Sequence, residues 1–207
     1  MLNIITALKA EAAPFIEGLS LKQQPLSKRL IFSGCGIQLA ISGPGCTNAR
    51  ALTSYFLGRH NPENQNPEHQ RELTYWLNFG IAGSAAWEIG DLVLAHTVTD
   101  QSPGKTGQIW TLENGINLNL PGAHICTVES PQATYYGHNV YDMETAGMIS
   151  VLSDRNLLGR AFIVKIISDG PSKPVESLTK QDLQQMIHGR KKDILAITEK
   201  IHSASLE

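Results

Sequence analysis

The segment Phe162-Ile163-Val164, continuing after Lys165 into Ile166-Ile167, is apolar at nearly every position, and this run constrains the fold most. A strand with one wet face alternates apolar and polar residues, so a near-continuous run belongs to a strand covered on both faces. Comparable strands are predicted at Leu2–Thr6, Arg29–Phe32, Gln38–Ser42, Leu73–Phe79, Asp91–Val98 and His124–Val128. Helices are predicted between and after them, at Ala7–Leu19, Asn48–Leu57, Met143–Leu152 and Thr179–Ile201. In the first, Leu8, Ala12, Phe15, Ile16 and Leu19 recur at helical spacing, and Pro14 calls for a kink or a late start. In the last, Ile187, Ile194, Ile197 and Ile201 form one stripe. Arg59–Glu72, polar and carrying Pro62 and Pro67, reads as an exposed loop. Strands separated by helices give an α/β protein: a three-layer α/β/α sandwich with a mixed central sheet. The 207 residues fit one domain, 1–207, large enough for a core without disulfide staples.

Composition narrows the function classes. A formal charge of -2 leaves no basic surplus for nucleic acid or an anionic membrane. The one basic cluster, Arg190-Lys191-Lys192, lies in the predicted tail helix and reads as a solvated face. No apolar stretch approaches the ~20 residues that span a bilayer, and Met1 leads straight into a strand with no basic leader before it. Cys35, Cys46 and Cys126 are odd in number and scattered, which suits reduced thiols in the cytoplasm and offers no metal-ligand spacing.

Three acids stand at positions where chemistry is commonly built. Glu11 follows the first strand, Asp169 follows Phe162–Ile167, and Glu144 opens a helix of small and apolar residues. In open α/β sheets the ligand crevice lies beyond the carboxyl ends of the strands. Parallel strands would therefore bring Glu11, Asp169 and the glycine turn Gly80–Gly83 to one edge. Each feature also has an ordinary reading: Glu11 as a helix-start charge, Ser168-Asp169-Gly170 as a turn, Asp142 as an N-cap, Glu144 as a first-turn acid.

Taken in order, several segments resemble the nucleoside phosphorylase/nucleosidase superfamily, most closely its methylthioadenosine/S-adenosylhomocysteine nucleosidase branch. They are Ala7-Leu8-Lys9-Ala10-Glu11, Ile41-Ser42-Gly43-Pro44-Gly45, Asn78-Phe79-Gly80-Ile81-Ala82-Gly83, Gly90-Asp91-Leu92-Val93, Asp142-Met143-Glu144-Thr145-Ala146 and Val164-Lys165-Ile166-Ile167-Ser168-Asp169. The resemblance implies the α/β/α sandwich and a pocket for a nucleoside, with no cofactor, no metal and a homodimer or larger homo-oligomer. It assigns Asp169 as the acid at the leaving base and Glu11 as the base that activates water. Glu144 would hold the ribose hydroxyls, Met143 would pack on the sugar, Ser168 would support Asp169, and Ala82 and Gly83 would line the pocket. The implied reaction is hydrolysis of the N-ribosidic bond of a purine or modified purine nucleoside.

Phosphorolysis is the alternative, and a catalytically weakened nucleoside-binding protein on the same fold is another. Phosphorylases need cationic donors around a dianion, whereas this chain places Lys9 to Glu11 and Asn78 where the resemblance expects Gly and Arg. A carboxylate there repels phosphate and suits water. The sequence departs from its relatives at Ile81, where they carry Ser or Thr, and at Lys165, where they carry Arg. The stretch from Val128 to Asp142 is short for a base-stacking loop, with Tyr135 and Tyr136 as the aromatic substitutes and an exposed-loop role as the other reading. Trp76, Trp87 and Trp110 read as core or interface residues.

Overall fold

The structure, a computed structural model, describes residues 1–206 apart from 26, 28, 60–73, 103, 105, 106 and 133. The strands are β1 (Leu2–Thr6), β2 (Lys22–Gln23), β3 (Ile31–Gly34), β4 (Ile37–Ile41), β5 (Tyr75–Ser84), β6 (Leu92–Asp100), β7 (Ile109–Thr111), β8 (Gly122–Thr127), β9 (Asn139–Asp142) and β10 (Ala161–Asp169). The helices are α1 (Lys9–Gly18), α2 (Cys46–Arg59), α3 (Thr145–Ser153), α4 (Lys180–Gly189) and α5 (Lys191–Ala204). Among the described residues, no helix is long and apolar enough to cross a membrane.

One mixed sheet runs in the order β10-β6-β8-β9-β5-β1-β4-β3-β2, with β7 beside β6 and a further pairing of β10 with β5. That pairing closes β5, β10, β6, β8 and β9 into a ring, with β1, β4, β3 and β2 as an open wing. β1 is parallel to β4 and β5, and β5 is parallel to β10. β6 runs antiparallel to β10, and β9 antiparallel to β5. The parallel set explains the patterning of β1 and β10, whose residues are all buried.

Helices cover both faces. Leu52 and Phe56 of α2 pack with Met148, Ile149 and Leu152 of α3 against Ile5, Trp76, Ile163 and Ile167. On the opposite face, Ala12 and Phe15 of α1 join Ile187, Ile194, Ile197 and Ile201 against Leu2, Ile4, Leu77 and Phe162. The three-layer sandwich inferred from the sequence is thus the observed architecture. Trp76 and Trp110 are buried, and Trp87 packs on the same core.

Several boundaries differ from the sequence reading. The tail is two helices, because Arg190 leaves helical geometry (φ −101°, ψ 7°) after Gly189, a weak helix former. Arg190 Nε donates to Gly90 O at 2.8 Å, which anchors the break to the turn before β6. The isoleucine stripe nevertheless stays on one core. α1 starts at Lys9, later than Ala7, and keeps Pro14 in its interior, where the ring forfeits the bond to Ala10 O. β2, β7 and β9 are too short to carry a readable period. α2 extends to Arg59; the rest of the predicted loop, through Glu72, and Leu73 of the strand predicted at Leu73–Phe79 lie outside the described residues.

Candidate active site

The carboxyl ends of β1, β4, β5 and β10 face one edge, as their parallel pairing requires. Each delivers one of the segments singled out in the sequence. Glu11, Ala82, Gly83, Met143, Glu144 and Asp169 line a single cavity of about 170 Å³, together with Leu8, Ile81, Val128, Tyr135, Tyr141 and Asp142. Ser168 stands behind the wall, where its hydroxyl donates to Asp169 Oδ1 and to Ala82 O.

Glu11 lies in the first turn of α1 and reaches back over the helix start. Its Oε2 accepts the N–H groups of Ala7 and Leu8, both at 2.8 Å, and its Oε1 accepts that of Ile81 at 3.0 Å. Leu8 has no side-chain oxygen to cap the helix, so only the Glu11 half of a capping box is present. The ordinary helix-start role and a chemical role therefore reside in one carboxyl group. Burial pushes its pKa up to about 7, against the bonds from Leu8 and Ile81 and the charge of Lys165, with a further upward push from Glu144. Desolvation wins because the group is 1% exposed.

Asp169 owes its aim to a bulge in β10. Ile167 pairs with Ala82 and Asp169 pairs with Gly83, so Ser168 is the extra residue. Such a bulge redirects the side chains beside it. A methyl built on Gly83 would collide with Asp169 Oδ2 and with the Tyr135 ring, so a side chain there would push one of them aside. Tyr135 donates its hydroxyl to Asp169 Oδ2 and sets its ring at 63° to Tyr141, 5.9 Å between centroids. Burial, and then the bond to Asp169, push the Tyr135 phenol above its ordinary pKa, which keeps it a donor.

Glu144 holds the N-cap position of α3, and its Oε1 accepts Gly45 N–H at 2.7 Å. This bond ties the glycine turn after β4 to the site. The close approach of α2 permits it: a Cβ on Gly147 would overlap Cys46 O. Burial and the neighbouring Asp142 charge raise the Glu144 pKa, and Lys165 opposes them.

Asp142 was open to an N-cap reading. It ends β9 instead, and from there its Oδ2 receives Thr145 N–H at 3.0 Å. Its main partner is Lys165, whose Nζ lies 2.7 Å from Oδ2 and 2.6 Å from Asn78 Oδ1. Burial alone would raise Asp142, but Lys165, Thr145 and Thr127 outweigh it and hold the carboxyl below its ordinary value. A lone lysine in an apolar strand signals such a partner, since a buried charge must be paired; the sequence could not say which acid it was. A methyl on Gly80 would stand 3.3 Å from both Glu11 Oε1 and Lys165 Nζ, so the two groups converge beside that glycine.

Lys9 is exposed and does not line the cavity. Asn78 is spent inside the sheet on Ile5 O and Lys165. Tyr136 is 67% exposed, so of the two candidate tyrosines only Tyr135 reaches the site. Among the described residues, no cluster of three His, Cys, Asp or Glu side chains is arranged to hold a metal ion.

The arrangement pairs a buried carboxyl poised near neutrality with a second carboxyl across a strand. β1 and β10 flank β5, so two strand spacings, roughly 10 Å, separate their backbones. That is room for a sugar, with a nucleophile on one side and a leaving group on the other.

The chain matches no family model and no curated protein sequence. Solved structures match over nearly the whole chain. The 5'-methylthioadenosine/S-adenosylhomocysteine nucleosidase of Helicobacter pylori, bound to butyl-thio-DADMe-Immucillin-A, is 16% identical with a TM-score of 0.76, covering 96% of this chain and 97% of that one. The 5'-methylthioadenosine nucleosidase of Arabidopsis thaliana is 17% identical with a TM-score of 0.75, covering 97% and 95%. The futalosine hydrolase of Helicobacter pylori is 15% identical with a TM-score of 0.74, covering 96% and 97%. At such identity the likeness is one of architecture, and the chain has the fold that these nucleosidases share.

Proposed function

We propose that this protein hydrolyses the N-ribosidic bond of a purine or modified purine nucleoside, releasing the free base and the ribosyl product. The observation that carries the reading is the convergence of Glu11 and Asp169 on one cavity, which Glu144 and Met143 also line. It is supported by the shared fold with enzymes named as nucleosidases and as a futalosine hydrolase.

The N-ribosidic bond breaks through an oxocarbenium-like sugar, which needs an activated nucleophile on one face and leaving-group activation on the other. Glu11 supplies the base: its Oε1 carries one N–H bond and keeps a lone pair for water. Asp169, oriented by Ser168, delivers the proton to the base or hydrogen-bonds it as the bond lengthens. Glu144 receives the ribose hydroxyls, and Met143 supplies an apolar floor. Ala82 and Gly83 bring backbone close enough for the sugar to lie flat against β5. No cofactor enters this scheme, because no hydride or electron moves.

Water is favoured over phosphate because the described cavity lining includes four carboxyl groups, from Glu11, Asp142, Glu144 and Asp169, and no lysine or arginine. Lys165, which approaches Glu11 beside Gly80, is already paired with Asp142. A phosphate dianion would meet repulsion without a guanidinium or ammonium to offset it. We read the chain as one catalytic domain, 1–207, acting in the cytoplasm as a homo-oligomer. The three cysteines, none of them in a disulfide, support the compartment, and the resemblance to oligomeric relatives supports the assembly.

Incubating the purified protein with a panel of purine nucleosides, with and without phosphate, tests the reaction. Release of free base without phosphate is the expected result. Strict dependence on phosphate would establish phosphorolysis, and binding without turnover would establish a binding protein.

A further inference from the structure

Tyr135 lines the cavity, and this mechanism gives it no task. It comes from the connection between β8 and β9, where its neighbours Thr134 and Tyr136 are both exposed. Its side chain nevertheless turns inward and ends on Asp169 Oδ2. Oδ1 is taken by Ser168 from behind, so Oδ2 is the oxygen that the leaving base has to reach. The ring meanwhile fills the space beside Gly83, in an apolar subcluster with Val128, Tyr141 and Met143.

We propose that Tyr135 is a specificity-determining plug: before substrate arrives its phenol takes the place of the nucleobase on Asp169, and a substrate binds by displacing it. The inference rests on the nucleosidase reading for the identity of the ligand. The phenol imitates a base in both respects that matter, an aromatic ring packed edge-to-face with Tyr141 and a polar atom on the carboxyl group. It therefore selects for ligands that replace both contacts: a nitrogen heterocycle with a ring nitrogen aimed at Asp169 and an aromatic ring packed on Tyr141 and Val128. A sugar lacking a base, or an aliphatic aglycone, offers neither and leaves the plug seated. The phenol is tethered to an exposed connection, so its withdrawal leaves α1 and β10, which hold Glu11 and Asp169, in place.

Tyr135→Phe keeps the ring and deletes the competing hydrogen bond. A hydrogen bond lost from the substrate-free enzyme alone is worth roughly tenfold in apparent affinity. The expected result is a fall in KM of about tenfold for the cleaved nucleoside, with a rise in kcat/KM. A residue that merely braces Asp169 gives the opposite: kcat/KM drops and KM holds or rises, which would overturn the proposal. Calorimetric binding of adenine, hypoxanthine and guanine to both proteins gives a readout that needs no turnover. Tighter base binding by the variant, with no nucleoside cleaved by either protein, supports the plug and refutes the nucleosidase. Cleavage with unchanged KM and unchanged base affinity refutes the plug and leaves the nucleosidase standing. Absence of both cleavage and base binding refutes both.

Discussion

Lowering the pH should switch this site off far sooner than an ordinary glutamate would allow. Glu11 acts as a base only when ionised, and burial raises its pKa from 4.5 to about 7. Because the pKa is raised, the active form is lost as pH falls through about 7, and activity climbs to a plateau above it. At pH 5 such a group is only ~1% ionised, so the rate should fall about 100-fold from its plateau, with a limiting slope near one. With the unshifted value the group would be about three-quarters ionised at pH 5, and the rate would fall by roughly 1.3-fold. The two expectations differ by almost two orders of magnitude. Initial rates of base release at saturating nucleoside, from pH 5 to 9, separate them. Glu144 is also raised, but its protonation weakens ribose binding and would appear in KM; the limb assigned to Glu11 appears in kcat. A kcat at pH 5 within threefold of that at pH 8 would refute the assignment, as would an unchanged acid limb in Glu11→Gln.

Asp169→Asn should lower turnover by roughly 10²–10⁴, the usual worth of a positioned acid or base, measured as base release at saturating substrate. Lys165→Met strands the buried Asp142 carboxylate, and chemical denaturation should register a loss of about 3–5 kcal/mol. Gly147→Ala drives a methyl into Cys46 O, and denaturation should show a loss of about 1–3 kcal/mol. In the same variant the Gly45–Glu144 bond is strained, so KM for the nucleoside should rise.

Where period and punctuation are local, the chain reads directly. β1 runs over the residues that the sequence marks, because five successive buried side chains leave a clear signature. Glu11, Glu144 and Asp169 were visible because each sits at the end of a strand or at a helix start, and open sheets place ligands at those ends. The break after Gly189 was not legible, since the isoleucine stripe continues on both sides and the bond that fixes the break comes from Gly90, a hundred residues away.

Sequence alone thus determined the layering, the shared edge and the types of group that gather there, all consequences of short-range pattern and parallel pairing. Tertiary structure alone decided which groups are desolvated and which meet. The Glu11 pKa rises to about 7 because burial takes the carboxyl out of water, and Lys165 is spent on Asp142 because β9 and β10 bring them together. Tyr135 reaches Asp169 across 34 positions of chain. Hydration and pairing depend on distance in space, and a linear pattern carries no measure of that distance.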